Sequence, residues 1–268
     1  MPYCLIALGS NLGDRAAQLR QATAELASLP ATRLVARSRW HETPPIGGPT
    51  GQGPFLNAAA LISTLLPPAE LLAALRRIET SLGRVRNERW AARSLDLDVL
   101  LYDGVMLQTP ELEVPHPRMA FRRFVLEPAA EIAAWMIHPE CGWTVGALSR
   151  HLNRGAQQIA VAAEDDLTAD LLMSQLAERL KLSIGSAGAA SGDRPVITRW
   201  STGEVGVPSS RPKLLLAVAA AAGTDSAQLR RMLHLPPTGP IAWVAPDSAE
   251  APHDAVTAVQ SVWPALAD

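Results

Sequence analysis

The segment 94–103 carries Leu95, Leu97, Val99 and Leu101 at every second position, with Asp96 and Asp98 set between them. A period of two is the spacing of an extended strand, whose successive side chains leave opposite faces. One face of this strand is therefore apolar, and the other bears both carboxylates with Leu100 further along. Carboxylates side by side repel unless a cation stands between them. The pair admits two readings at this point: solvated acids on an exposed strand face, or ligands for a hard divalent cation. Mg²⁺ suits the second, because it takes one or two protein carboxylates and fills its other sites with water and phosphate oxygen.

The flanking segments predict a mixed order of strands and helices. Residues 3–8 read as a buried strand, followed by the turn Gly9-Ser10-Asn11-Leu12-Gly13. Asp14 can cap a helix whose apolar stripe is Leu19, Ala22, Leu26 and Leu29, and Pro30 ends it. Residues 33–40 alternate as a strand with one wet face. The segment 43–54 is a long Pro- and Gly-loaded loop, and 55–64 is another strand. Pro68 opens a helix with the stripe Leu71, Leu72, Leu75, Ile78 and Leu82, stopped by Gly83. Beyond the Asp96 strand, 111–118 is a Pro-containing connection, 124–126 a short strand start and 145–152 a helix. Strands and helices without strict β-α-β alternation predict an α+β layered fold.

The composition shifts after Arg154. Residues 156–166 are polar or small, 167–180 read as a helix, and 185–193 form a Gly/Ala/Ser linker. Strands are expected at 213–218 and 241–245, with helices at 228–234 and 254–263. The expected organisation is a first domain over 1–154 and a small accessory α/β region over 155–268.

Charge excludes some classes of partner. A formal net charge of -2 offers no global field for nucleic acid or an anionic membrane. The longest apolar run, 214–222, is about half the length of a membrane span. Cys4 and Cys141 make no disulfide framework, and Cys4 lies in an apolar run where burial is the default. The first residues, Met1-Pro2-Tyr3-Cys4-Leu5-Ile6, lack the pattern of a signal peptide, so a cytoplasmic location is expected.

The cations are unusual in kind. Only Lys181 and Lys213 are lysines, and all other basic residues are arginines, whose planar guanidinium suits bidentate phosphate contacts. Genomic base bias accounts for that ratio in an Ala-rich chain but not for the clustering. Arg84, Arg86, Arg89 and Arg93 lie in the loop running into the Asp96 strand, and Arg76 and Arg77 on the helix before it. Such a loop can be a solvated surface; beside paired carboxylates it can grip a polyphosphate while a metal bridges the phosphate oxygens. The chain has no Gly-x-x-x-x-Gly-Lys-Ser/Thr loop, and residues 9–13 have the wrong spacing for a dinucleotide fingerprint.

The run Arg89-Trp90-Ala91-Ala92-Arg93-Ser94-Leu95-Asp96-Leu97-Asp98-Val99-Leu100 resembles the signature of the 6-hydroxymethyl-7,8-dihydropterin pyrophosphokinase family, kinases of the folate pathway. Further blocks match in order: 6–14, Thr43-Pro44-Pro45-Ile46-Gly47, Phe55-Leu56-Asn57-Ala58-Ala59, Val114-Pro115-His116-Pro117-Arg118-Met119 and 122–128. The resemblance covers residues 3–152. It implies a ferredoxin-like core and transfer of pyrophosphate from MgATP to the pterin hydroxymethyl oxygen, with AMP leaving. It further implies that Asp96 and Asp98 hold two Mg²⁺ ions and that Phe55 and Phe124 sandwich the pterin. Asn57 and the backbone of Thr43, Pro44 and Ile46 would read the pterin's polar edge. Arg84, Arg86, Arg93, His116 and Arg122 would bind phosphates, Arg84 and Arg93 would stabilise the transition state, and Arg76 and Trp90 would contact the nucleotide. Without the resemblance, Phe124 fits a core strand and His116 a loop cap, and Glu79 reads as an ion-pair partner for a nearby arginine. Where the family commonly has Gly-Pro, this chain has Ala91-Ala92, which removes one permissive and one rigid position and implies altered loop closure.

The tail lies outside the resemblance. It is under half the length of the (β/α)₈ barrel that a fused dihydropteroate synthase requires, and no block resembles an aldolase of the same pathway. His234 and His253 are isolated, with His253-Asp254 at an expected helix start. The tail is expected to serve packing or self-association. Two functions stay open from sequence: an active pyrophosphokinase, or a pterin- or nucleotide-binding regulator on the same fold. Both acids together with Arg84, Arg93 and Arg122 favour the enzyme, since a binder needs no full set of charges around the β-phosphate.

Overall fold

In the computed structural model the described residues are all of 1–268 except 48, 50, 85–91, 187–193, 201–210, 220–225, 246–249 and 268. The expected positions Arg86, Arg89 and Trp90, and most of the 185–193 linker, lie outside the described residues. The chain divides into two compact units: Met1–Pro139 with Thr144–Gly146, and Glu140–Trp143 with Ala147–Leu266.

The first unit is built on β1 (Tyr3–Ser10), α1 (Arg15–Ala27), β2 (Thr32–Arg37), β3 (His41–Thr43), β4 (Phe55–Thr64), α2 (Pro68–Ser81) and β5 (Asp96–Tyr102). Short strands β6 (Leu107–Gln108) and β7 (Glu113–Val114) come next, then α3 (Arg123–Ala133). The sheet runs β2-β4-β1-β5, antiparallel throughout, and β3 continues after β2 along the same edge of β4. The break between β2 and β3 falls at buried Ser38, whose hydroxyl accepts the Ala59 N–H at 2.9 Å in place of a strand carbonyl.

Period decides what each face does. Cys4, Ile6 and Leu8 of β1, Ala58, Ala60 and Ile62 of β4, and Leu95, Leu97 and Val99 at β5 form one apolar face. The stripes Leu19, Ala22 and Leu26 of α1 and Leu71, Leu75 and Ile78 of α2 cover it. Truncating one such leucine to Ala costs about 2–5 kcal/mol. Asp14 caps α1 by accepting the Ala17 N–H at 2.9 Å, and Gly83, at φ 82°, ends the α2 segment in the left-handed region.

The expected alternation of β5 fails at one point. Leu5 pairs with Leu101 but Ile6 with Val99, so the register shifts at Leu100, and Tyr102, not Leu101, joins the apolar cluster. A bulge of this kind inserts one residue and reverses the facing of the residues after it. Leu101 is still fully buried.

The passage out of the first unit is α4 (Val145–Arg154). The second unit contains β8 (Ala156–Ala163), α5 (Asp166–Leu180), β9 (Val196–Arg199), β10 (Pro212–Val218), α6 (Ser226–Met232), β11 (Ala242–Val244) and α7 (Ala251–Val262). Its sheet is parallel, in the order β11-β10-β8-β9. The segment 156–166, read from sequence only as polar or small, supplies the inner strand β8 over Ala156–Ala163. Small alanines reveal no period, yet a strand enclosed on both faces needs none. The helix expected at 167–180 and the strands at 213–218 and 241–245 match α5, β10 and β11 closely.

Candidate active site

The site grows from the sheet face opposite α1 and α2. Asn57, Gly9 and Asp96 stand in one row across β4, β1 and β5, and Ala59, Ala7 and Asp98 in the next. The middle strand carries the smallest side chains, so the functional groups flank a trough. A Cβ added at Gly9 would lie 3.1 Å from Asn57 Oδ1 and 3.9 Å from Asp96 Cβ. The trough is the floor of a cavity of about 710 Å³.

The expected site residues that are described all line this cavity. Thr43, Pro44, Ile46, Phe55 and Asn57 come from β3, β4 and the loop joining them. Asp96 and Asp98 come from β5, Arg76 from α2, and Arg84 and Arg93 from the ends of the arginine-rich loop. His116, Arg122 and Phe124 complete the wall. Asn57 Nδ2 donates to Thr43 Oγ1 at 2.8 Å, which ties the start of the 43–54 loop to β4.

Phe124 is a correction to the sequence reading. It sits in the first turn of helix α3, not at a strand start. Phe-Val-Leu favours a strand locally, and Pro128 argues against a helix running through it. Tertiary burial of Val125, Leu126, Ala129 and Ala133 on one stripe prevails, supported by an Arg123–Glu127 ion pair one turn apart. Its ring also meets the Arg122 guanidinium, 5.5 Å from the ring centroid.

At the acidic edge, Arg84 Nη1 donates to Asp96 Oδ1 at 2.6 Å and Arg93 Nη1 to Asp96 Oδ2 at 2.8 Å. Glu79, buried on α2, also pairs with Arg84 and accepts the Leu97 N–H at 2.8 Å. That is the ion pair the sequence suggested, with an added anchor to the β5 backbone. Burial alone raises the Asp96 carboxyl, but the Arg93 and Arg84 guanidiniums prevail and hold it below its ordinary value. Burial, and then the charge of Asp96, push Asp98 up to about 7 against the pull of Arg122 and Arg93. A carboxylate so placed favours a cation beside it.

Burial and the neighbouring Arg122 push His116 down to about 3, so the ring is neutral. Its Nδ1 accepts the Arg118 N–H at 3.0 Å, which leaves the proton on Nε2 as a donor. Burial, aided by Arg118, also lowers Arg122 to about 10, which leaves it cationic at neutral pH. The cavity thus brings aromatic rings and an amide together with carboxylates, guanidiniums and a neutral imidazole donor. Carboxylates beside guanidinium and imidazole donors are a set that could hold Mg²⁺ with a polyphosphate.

Sequence reasoning assigned no role to several residues now at or near the cavity. Arg118 lines it, within a block already noted for the family. Asn11 lies outside the lining but bonds to Arg93, and the only sequence signal for it was its place in the block 6–14.

Comparison with known proteins accords with this geometry. The profile of the 7,8-dihydro-6-hydroxymethylpterin-pyrophosphokinase family matches residues 5–134. The 2-amino-4-hydroxy-6-hydroxymethyldihydropteridine pyrophosphokinase of Methylorubrum extorquens is 48% identical over 133 residues, 50% of this chain and 84% of that protein. The protein of the same name from Bacillus subtilis is 50% identical over 127 residues, 47% of this chain and 75% of that protein. That from Pseudomonas aeruginosa is 46% identical over 128 residues, 48% and 78% of the respective chains. With most of each relative's length covered at such identity, the chain belongs to the 7,8-dihydro-6-hydroxymethylpterin-pyrophosphokinase family.

Proposed function

We propose that the first unit transfers pyrophosphate from MgATP to the hydroxymethyl oxygen of 6-hydroxymethyl-7,8-dihydropterin, releasing AMP, as a step of folate biosynthesis. The observation that carries this reading is one cavity lined both by Phe55, Phe124 and Asn57 and by Asp96, Asp98, Arg84, Arg93, His116 and Arg122.

The two phenyl rings suit a flat heterocycle by stacking, and the Asn57 amide offers both donor and acceptor to an aminopyrimidinone edge. Thr43, Pro44 and Ile46 line the same cavity and are assigned to the pterin's polar edge. Arg84 and Arg93 already stand over Asp96, so two guanidinium donors wait at the edge where a triphosphate needs them. His116 Nε2–H and the Arg122 cation add donors whose charge does not change near neutral pH. Arg76 is assigned to the nucleotide, and Arg86 and Trp90 share that role in the proposal. Asp96 and Asp98 are the residues to hold two Mg²⁺ ions. When bound, the ions supply neutralisation of charge developing on the β-phosphate and its leaving group. The pterin oxygen attacks the β-phosphorus, the bond from that phosphorus to the oxygen shared with the α-phosphate breaks with its electron pair leaving on AMP, and the alcohol proton passes to solvent.

The antiparallel order β2-β4-β1-β5, with a helix after β1 and after β4, supports a ferredoxin-like reading of the core. Catalysis is assigned to residues 1–154, since the cavity draws on residues 7 to 125 alone. Residues 155–268 are assigned an accessory role in packing or self-association. Exposed Leu167 and Leu171, one turn apart on α5, support self-association, and sedimentation of a Leu167→Glu/Leu171→Glu variant tests it. No nucleic-acid partner belongs to this reading. Among the described residues no helix is long and apolar enough to cross a membrane. Use of ATP supports a cytoplasmic location.

The test is to incubate the protein with Mg²⁺, ATP and the pterin alcohol and to identify the nucleotide product. AMP is expected. ADP would make it an ordinary kinase, and no turnover would leave the binding regulator.

A further inference from the structure

Glu131 of α3 accepts four hydrogen bonds, all from the segment that leads into strand β3. Its Oε2 accepts the main-chain N–H of Arg39 at 2.9 Å, and its Oε1 accepts Arg39 Nε at 3.1 Å and Nη2 at 2.8 Å. The same Oε1 meets His41 Nε2 at 3.0 Å; a carboxylate oxygen only accepts, so that ring nitrogen carries the proton. Burial raises the Glu131 carboxyl, but the bonds from Arg39 and His41 prevail and hold it below its ordinary value. An exposed ion pair by itself contributes little. This carboxylate also binds a main-chain group and a ring, so it fixes geometry beyond what one pair would.

These bonds tie together two elements that each present a side chain to the cavity. On β3, His41 stands opposite Asn57 and Thr43 opposite Phe55 of β4. His41 and Thr43, two apart, leave the same face of the strand. On that face Thr43 is bonded to Asn57 and His41 to Glu131, so β4 holds one residue of β3 and α3 the other. On α3, Glu131 is about two turns beyond Phe124 and so on the same side of the helix. The helix lies against β4, β1 and β3. Its buried stripe includes Ala129 and Ala133, and Ala59 and Ala7 pair side by side on β4 and β1. Small side chains make shallow ridges, so packing alone resists sliding of the helix weakly.

We infer that Glu131 is a positioning residue for the pterin: by locking α3 to the start of β3 it fixes Phe124 relative to Phe55 and Thr43, and so sets the stacking slot. The inference rests on the proposed function, since it takes Phe55 and Phe124 to sandwich the pterin. Glu131 itself is not part of the cavity wall; it acts through the Phe124 ring. Stacking depends on how the rings are offset, and a well-placed aromatic pair adds roughly 2- to 10-fold in affinity. The phosphate-binding groups are held elsewhere. Arg84 and Arg93 are fixed by Asp96 of β5, and Arg122 follows directly on the buried turn Met119–Phe121.

The test measures two dissociation constants by calorimetry: that of Mg²⁺ with α,β-methylene-ATP, and that of 6-hydroxymethyl-7,8-dihydropterin at saturating nucleotide. The proteins compared are the full chain, Glu131→Ala, Arg39→Ala, Phe124→Ala and the double variant Glu131→Ala/Phe124→Ala. Glu131→Ala should weaken pterin binding by roughly 2- to 10-fold while the nucleotide Kd moves less. A merely structural role would instead lower both affinities together with the melting temperature. Arg39→Ala removes two of the four bonds at an exposed site, and should shift the pterin Kd in the same direction by less. In the Phe124→Ala background, Glu131→Ala should cost no further pterin affinity, because the ring through which it acts is gone. If Glu131→Ala does not fold, Arg39→Ala, alone and combined with Phe124→Ala, gives the same comparison. An unchanged pterin Kd in the folded Glu131→Ala or, in its place, Arg39→Ala protein overturns the inference, as do additive losses in the double variant. If the unaltered protein binds no pterin at saturating nucleotide, the proposed function itself fails; if it binds pterin and the variants match it, the inference alone fails.

Discussion

Arg93 donates through Nη1 to Oδ2 of Asp96 at 2.8 Å, and the pair lies where the arginine-rich loop meets β5. Arg84 holds the other oxygen of the same carboxylate. Asp96 therefore has counter-charges within the protein, while Asp98, two residues on, is pushed up by burial and by Asp96 itself. The two acids look alike in sequence and differ in environment.

Asp98→Asn is expected to abolish turnover and to stabilise the ligand-free protein at alkaline pH. The folded value is about 7 against an ordinary 3.8, so the folded state retains a proton that the unfolded chain has released. Stability from this group is full below about 3.8 and is lost as pH rises through 7. Melting of both proteins at pH 5 and pH 8 checks it: the variant's advantage should be larger at pH 8. Equal differences at the two values would contradict the assignment.

His116 gives the opposite sign. Its folded value, about 3, lies below its ordinary 6.5, so the unfolded chain takes up the proton first as pH falls. Stability from this group is full above 6.5 and declines progressively toward 3. His116→Asn should flatten the fall in Tm between pH 6.5 and 4.5 and lower kcat by removing the Nε2–H donor.

Glu79→Ala is expected to destabilise the fold by about 3 kcal/mol or more, because it leaves Arg84 and the Leu97 N–H without their shared buried acceptor. Glu79→Gln retains an acceptor for Leu97 and should cost less. Denaturant titration of both variants decides the order.

Gly9→Ala should leave the fold intact and weaken pterin binding, because the new methyl lies 3.1 Å from Asn57 Oδ1. Crowding of that kind costs about 1–3 kcal/mol, or roughly fivefold and more in pterin affinity. An unchanged pterin Kd in a normally folded Gly9→Ala protein would show that the trough is not the pterin floor.

What the sequence determined by itself was whatever a local period or a short ordered block can encode. The alternation through Leu95, Leu97 and Val99 made β5, and placed Asp96 and Asp98 on its other face. The stripe Leu71, Leu75 and Ile78 made α2, and the ordered blocks pointed to the family. Strand pairing and packing settled the rest. The register shift at Leu100 moves Tyr102 into the core, helix α3 claims Phe124, and the parallel sheet encloses the alanine-rich β8. The row Asn57–Gly9–Asp96 likewise depends on strand pairing, and the bonds from Arg39 and His41 to Glu131 on how α3 lies against β3. The physical reason is common to all of them. Periodicity reports which side of an element is buried, whereas pairing and close approach depend on what another segment places opposite it, which no local window contains.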